Sequence, residues 1–130
     1  MAVTHSTAAR NAATDAVTAL IGASGKLVFH ISPSSVGTPG TVVATLPLSA
    51  TAFAAASGGV ATANAITSDT NAAGNAGAVA FASLQTSGSA VVIHCAVAAS
   101  ASDINMSNGL TVAAGDTVSC SSLTYTAMGS

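Results

Sequence analysis

The chain carries very little charge. Asp, Glu, Lys and Arg make up 5% of its 130 residues, whereas an ordinary soluble domain has about 25%. Its only basic side chains apart from histidine are Arg10 and Lys26. A protein that binds nucleic acid neutralises several phosphates with such side chains. We therefore expect no nucleic-acid partner.

Small neutral residues take the place of the missing charges. Ala is the commonest residue, and Ser, Thr, Gly and Asn supply most of the polar remainder. A surface of this kind does little to keep molecules apart by charge repulsion. Its side chains also lose little rotamer entropy when a contact immobilises them. This composition indicates an oligomer or a member of a lattice, with dimers and trimers both compatible.

Aromatic residues are scarce as well. The chain has no Trp, one Tyr (Tyr125) and three Phe (Phe29, Phe53 and Phe81). A core must therefore rest mainly on Val, Leu and Ile, and 130 residues are enough for one domain with such a core. Sugar-binding modules usually present exposed aromatic rings, so this class is a weaker alternative.

Long apolar runs are absent. No run reaches the roughly 18 residues that a membrane-spanning helix requires. The first 22 residues lack the basic segment followed by an apolar segment that is typical of a secretory signal. We therefore expect no membrane partner and synthesis in a cytosol.

Residues that carry catalysis or bind metals are few and scattered. His94 and Cys95 are adjacent, but neighbouring residues of a strand point to opposite faces and cannot share a site. We expect Cys95 to be a buried, inert thiol and His94 to face outward or into a subunit contact. Neither CxxC nor HxxxH spacing occurs, and the four Asp residues form no close pair in sequence. We therefore predict no enzyme activity and no catalytic, cofactor-binding or metal site.

The two cysteines leave one alternative open. Cys95 and Cys120 could form a disulfide if their strands are neighbours. Synthesis in a reducing cytosol favours free thiols, although a particle released into an oxidising medium could close the bridge. Both states are compatible with the sequence.

Local patterns predict one helix followed by short strands. Residues 6–21 are rich in Ala, with apolar residues at helical spacing, a cap at Ser6 or Thr7 and a stop at Gly22. The predicted strands are 27–31, 42–46, 60–66, 78–86, 90–97, 104–106, 110–112 and 117–126, with 50–56 as a compact segment around Phe53. Ser87-Gly88 and Asn108-Gly109 predict hairpin turns.

Such a series of strands predicts an all-β domain. The expected architecture is an antiparallel β-sandwich, jelly-roll-like or immunoglobulin-like, with a short N-terminal helix or arm. The corresponding division of the chain is an N-terminal helix or arm over residues 1–25 and a β-sandwich over residues 26–130.

Three stretches resemble a known family. They are GASGKLVFHI, VVATLPLSATAFAAASGGVATANAITSDT and SDINMSNGLTVAAGDTVSCSSLTYT. In this order they are similar to small proteins of tailed bacteriophages that include capsid decoration, or cement, subunits. The resemblance covers residues 6–126 and is strongest at residues 59–70 and 102–126.

The resemblance implies a structural virion protein on the capsid exterior. Such a subunit decorates the assembled shell and bridges neighbouring major capsid proteins, without chemistry. We expect residues 2–21 and the loop 32–40 to make the contacts, because arms and loops adapt readily to partners. A tail or fibre component of a phage is the main alternative, followed by a sugar-binding β-sandwich module.

Overall fold

The computed structural model describes residues 3–127 and shows a mostly β protein with one helix. The elements are α1 (Thr7–Ala19), β1 (Lys26–Ile31), β2 (Val42–Pro47), β3 (Val60–Thr62), β4 (Val79–Gln85), β5 (Val91–Ala98), β6 (Ile104–Asn105) and β7 (Thr124–Thr126). The expectation of a β-rich chain with a short N-terminal helix is confirmed at this level. The predicted segments 1–25 and 26–130 extend beyond the described residues at both ends.

The helix α1 forms where its capping signal predicts. Ser6 is the N-cap, and its hydroxyl accepts a hydrogen bond from the Ala9 N–H at 3.1 Å. The helix is fastened to the body near β3 through Thr14, which is fully buried and donates to the Gly59 carbonyl at 2.8 Å. Ile21, just after the helix, lies in the core. The N-terminal element is therefore packed into the fold over these residues.

Five strands form one sheet in the order β2-β1-β4-β5-β6. The pairs among β1, β2, β4 and β5 are antiparallel. The tight connection between β4 and β5 confirms the hairpin that Ser87-Gly88 predicts. The strand β6, however, pairs parallel to β5, so this sheet is mixed. A second sheet joins β3 to β7 in antiparallel register.

The strand β1, which lies between β2 and β4, is buried on both faces. Leu27 and Phe29 lie on the face that packs into the hydrophobic core, while Val28 and His30 are buried on the opposite face. Neither face of β1 is therefore open to solvent. The core is completed by apolar residues from every part of the described chain, among them Val43, Leu46, Phe53, Val79, Leu84 and Val118.

The hairpin predicted at Asn108-Gly109 is wrong. Residues 110–112 do not pair with β6, because their carbonyl groups are used elsewhere. The Leu110 carbonyl accepts from the Val79 N–H at 2.8 Å, and the Val112 carbonyl accepts from the Asn75 N–H at 2.9 Å. A local turn signal is here overridden by contacts that are distant in sequence.

The long last strand predicted over residues 117–126 is also wrong. Val118 forms an isolated antiparallel bridge with Asp69, whereas β7, six residues later, pairs with β3. The chain changes partner between these points, so only Thr124–Thr126 is a strand. The strand predicted over residues 60–66 is likewise shorter, since only Val60–Thr62 is a strand. The compact segment 50–56 forms one bridge, from Phe53 to Ala63, and Phe53 lies in the core.

Candidate interaction site

The acidic side chains form hydrogen bonds within the chain. Each of the four carboxylates accepts a hydrogen bond from a backbone N–H group. The pairs are Asp15 with Ala56 (2.8 Å), Asp69 with Thr45 (2.9 Å), Asp103 with Ala96 (3.0 Å) and Asp116 with Ala113 (2.9 Å). Carboxylates in these positions fasten loops to the fold, because they satisfy donors that the strands leave unpaired.

The basic side chains are also engaged. Lys26 donates to the Ser89 hydroxyl at 2.7 Å, across the end of the sheet. Arg10 is half-buried and packs beside Gly59. The described surface therefore presents mainly small neutral side chains. It suits a contact made by shape and apolar area better than one made by charge.

Large apolar side chains are exposed at the two segments that the sequence predicts as contact elements. Val3 and Leu20 flank the helix α1 with 75% and 66% of their surface exposed, and Val36 in the loop is 60% exposed. Among described residues the other exposed large hydrophobics are Val42, directly after this loop, and Val60. Ala2, which belongs to the predicted N-terminal contact segment, lies outside the described residues.

His30 is the centre of a buried polar network. The ring is fully buried, and its Nδ1 lies 2.9 Å from the Gly40 carbonyl. A carbonyl oxygen can only accept, so Nδ1 carries the proton and Nε2 accepts from the Ser83 hydroxyl at 2.7 Å. The Ser83 oxygen in turn accepts from the Gln85 amide at 2.8 Å. Burial lowers the pKa of His30 and exceeds the opposite effect of its bond to Gly40.

This network has the connectivity of a nucleophile, a base and an orienting group. Ser83, His30 and the Gly40 carbonyl follow one another as in hydrolytic sites. Ser83 and His30 are both 0% exposed, so no substrate reaches the hydroxyl in this conformation. The arrangement instead joins the loop 32–41 to the sheet.

His94, on β5, also holds the loop 32–41 in place. Its Nε2 is hydrogen-bonded to the Ser34 hydroxyl at 2.9 Å, and the Ser34 oxygen accepts from the Gly40 N–H at 3.0 Å. The ring of His94 also lies against Phe81, with the ring centroids 5.2 Å apart. His94 therefore contacts a loop of its own chain, where the sequence predicts an outward or intersubunit position.

The Ser34, His30 and Ser83 contacts were not predicted from the sequence. His30 and Ser83 are 53 positions apart in sequence, and Ser34 and His94 are 60 positions apart. Local patterns do not report such pairings. One signal was present: residues 27–31 are apolar except for His30. A strand of this kind is typically buried on both faces, and a buried His needs hydrogen-bond partners.

The two cysteines are free and lie in different surroundings. Cys95 is on the core face of β5, opposite His94, as strand geometry predicts, so the two cannot act together. Burial raises the pKa of the Cys95 thiol to about 11, and the nearby Asp103 carboxylate adds to this shift. Burial also raises the pKa of Cys120. Thiols of this kind are weak nucleophiles near neutral pH.

Metal-binding clusters and membrane-spanning helices are absent from the described residues, which do form a cleft. Residues 3–127 contain no group of three or more His, Cys, Asp or Glu side chains placed to hold a metal ion. None of the helices in the same range is long and apolar enough to span a membrane. A largely polar cleft of about 640 Å³ is lined mainly by residues 103–109 and 116–124, together with Phe29.

Comparison of the chain with protein-family models, with curated proteins and with solved structures finds no match. The function is therefore inferred from the surface and from the sequence resemblance.

Proposed function

We propose that this protein is a structural virion subunit that decorates a tailed-phage capsid and stabilises it by bridging major capsid proteins. The observation that carries the proposal is the exposure of Val3, Leu20 and Val36 on a surface whose acids are bonded internally. Apolar side chains on small-residue surroundings are suited to burial against another protein.

The mechanism is stabilisation by mass action. A ligand that binds only the assembled shell lowers the free energy of that shell, by about 2.7 kcal/mol at a free concentration 100 times Kd. A contact of roughly 800 Å² on each partner is enough for a specific interface. Repetition over the lattice multiplies the effect, and no reacting group is needed. In this proposal the protein is not an enzyme, acts as a dimer or trimer, and resides on the capsid exterior after synthesis in the host cytoplasm.

The finer architecture belongs to the same proposal. An antiparallel, jelly-roll-like β-sandwich would pack the five-stranded sheet against the β3–β7 pair and its neighbouring loops. The shared core, which includes Leu27 from β1 and Ala61 from β3, supports two packed layers. The parallel β5–β6 pair is the departure from that architecture.

Capsid binding is tested by cosedimentation. The purified chain is mixed with expanded empty shells of the phage that encodes it, and bound protein is measured against free concentration. We expect saturable binding at a fixed number of copies per shell. Val36→Ser and Leu20→Ser should each weaken binding by about 10-fold or more, because burying such a side chain contributes roughly 1.5–3 kcal/mol.

Val60→Ser is the matched control, since Val60 is exposed but lies outside both predicted contact segments. Circular dichroism confirms that each variant is folded. Point variants are preferable to removal of residues 2–21, because that segment includes Thr14 and Ile21, which are buried in the fold. Absence of wild-type binding to shells contradicts the proposal. Binding to tails or fibres would favour the alternative of a tail component, and binding to sugars would favour a carbohydrate-binding module.

A further inference from the structure

The loop 32–41 is held on the sheet by two histidines. Gly40 is the residue at which their bonds meet. Its carbonyl accepts from His30 at 2.9 Å, and its N–H donates to the Ser34 oxygen, which bonds to His94. A backbone bond from the Ile31 N–H to the Thr41 carbonyl, 3.2 Å long, closes the base of the loop.

The network around His30 fits one protonation state. With a neutral ring, Nδ1–H donates to Gly40 and Nε2 accepts the Ser83 hydroxyl proton. A second proton on Nε2 turns this acceptor into a donor. The Ser83 oxygen then faces two donors, from His30 and Gln85, and its own proton loses its acceptor inside a fully buried site. Such a loss is costly because water cannot replace the missing bond.

No carboxylate lies on the elements that pack around His30. The flanking strands β2 and β4 contain no ionisable side chain, and neither does the loop 32–41. On the same face, β1 contributes Lys26 and β5 contributes His94, while Cys95 faces the core. Asp69, whose carboxylate bonds to β2, accepts from the Thr45 and Asn71 N–H groups. A positive charge on His30 would therefore have no compensating carboxylate on these elements, and His94 disfavours it further.

We propose that the loop 32–41 detaches from the sheet at acid pH, and that protonation of His30 causes this opening. The closed loop excludes the charged ring, whereas an open loop exposes the ring to water. This inference concerns the chain by itself and does not depend on binding to capsids.

The direction of the pH effect follows from proton linkage. In the open state His30 titrates near its ordinary pKa of 6.5, whereas burial, together with repulsion from His94, lowers its pKa in the closed state. Below pH 6.5 the open state binds the additional proton. The equilibrium constant for opening therefore rises by about 10-fold per pH unit, until the pH reaches the pKa of the closed state. Above pH 6.5 the loop stays closed and insensitive to pH.

Hydrogen exchange on the isolated protein tests this inference. Exchange of the Ile31 and Gly40 amides is followed from pH 7.5 to pH 4.5 and corrected for the intrinsic rate at each pH. We expect protection to fall by about 10-fold per pH unit below pH 6.5. Amides of the β4–β5 hairpin, such as those of Leu84 and Ile93, should keep their protection and report that the sheet remains folded.

Two variants assign the effect to one ring. His30→Gln should abolish the pH dependence, whether the loop is then permanently closed or permanently open. His94→Gln should retain it, because Gln can still bond to Ser34. Retention of the response in His30→Gln, or its loss in His94→Gln alone, overturns the proposal.

If His30→Gln does not fold, a measurement on the wild-type protein tests the proposal independently. Nuclear magnetic resonance of the ring nitrogens should show protonated Nδ1 and bare Nε2 for His30 at neutral pH. Titration of His30 at its ordinary pKa while the Ile31 and Gly40 amides stay protected would overturn the proposal. Failure of the chain to bind shells would leave all of these results unchanged.

Discussion

Two regions of this protein are held together in different ways. The strands β1, β2, β4 and β5 form continuous antiparallel ladders whose side chains fill a core. Residues 99–127 contain only the short strands β6 and β7, joined by turns and an isolated bridge. In this second region, the carboxylates of Asp103 and Asp116 bind backbone N–H groups and fix the course of the chain.

The difference follows from side-chain size. Strand residues such as Leu27, Phe29 and Leu84 each remove a large apolar area from water, and this stabilises the sheet. Residues 99–127 are mostly Ala, Ser, Thr, Asn and Gly, which bury little. Their conformation depends on turns and on hydrogen bonds, and each hydrogen bond contributes about 1 kcal/mol. The first region should therefore dominate the free energy of unfolding, and the second should tolerate change.

The largest expected effect compares one Leu from each region. Leu27 on β1 is 0% exposed, whereas Leu123 is half-buried at the edge of the core. Leu27→Ala should lower the free energy of unfolding by about 3–5 kcal/mol, because it leaves a cavity in a closed site. Leu123→Ala should cost about 1–2 kcal/mol. Urea denaturation measures both, and equal losses would show that the two regions share one uniformly packed core.

The second prediction concerns the junction between the regions. Gly74 has φ +70°, and a Cβ placed on it would collide with the backbone of Ala113 and Ala114. Gly74→Ala should therefore cost about 2–4 kcal/mol, from a left-handed conformation and from overpacking against backbone. Gly22→Ala is the matched control, since Gly22 also has φ +70° but nothing lies within 4 Å of a Cβ placed on it. Its cost should be about 1–2 kcal/mol.

Thermal and urea unfolding of these two Gly variants separate close packing from backbone strain. If Gly74→Ala costs no more than Gly22→Ala, the segment 113–114 moves away freely. The second region would then be even more loosely attached than the hydrogen bonds indicate.

The same contrast explains how much could be predicted from the sequence. The helix was recognisable from Ser6 and the Ala-rich run, and β1, β2 and the β4–β5 hairpin from apolar alternation and a Ser-Gly turn. These features are encoded by neighbours in sequence and reinforced by the core. In residues 99–127 the Asn108-Gly109 turn signal was local too, but little apolar burial supported it. Long-range bonds from Val79 and Asn75 therefore decided the pairing.

The His30 network illustrates the remaining limit. Its members lie on β1, β4 and the loop 32–41, and only the register of β1 with β4 brings them together. No spacing motif corresponds to such a register. The resemblance to decoration proteins likewise predicts a surface for contacts but gives no position for this buried cluster.

The last prediction compares the reactivity of the two thiols and involves the smallest change in stability, because no residue is replaced. Cys95 belongs to the core face of β5, and Cys120 belongs to the loop-rich second region. With a pKa of about 11, Cys95 should be about 0.1% thiolate at pH 8, roughly 100-fold less than a thiol of pKa 9. Its alkylation by iodoacetamide should be slower in the same proportion, as mass spectrometry of quenched samples can measure. Burial also raises the pKa of Cys120, but this thiol lies in the loop-rich region and should react first. Equal alkylation rates would mean that β5 opens as readily as residues 99–127. The two regions would then not differ in local stability.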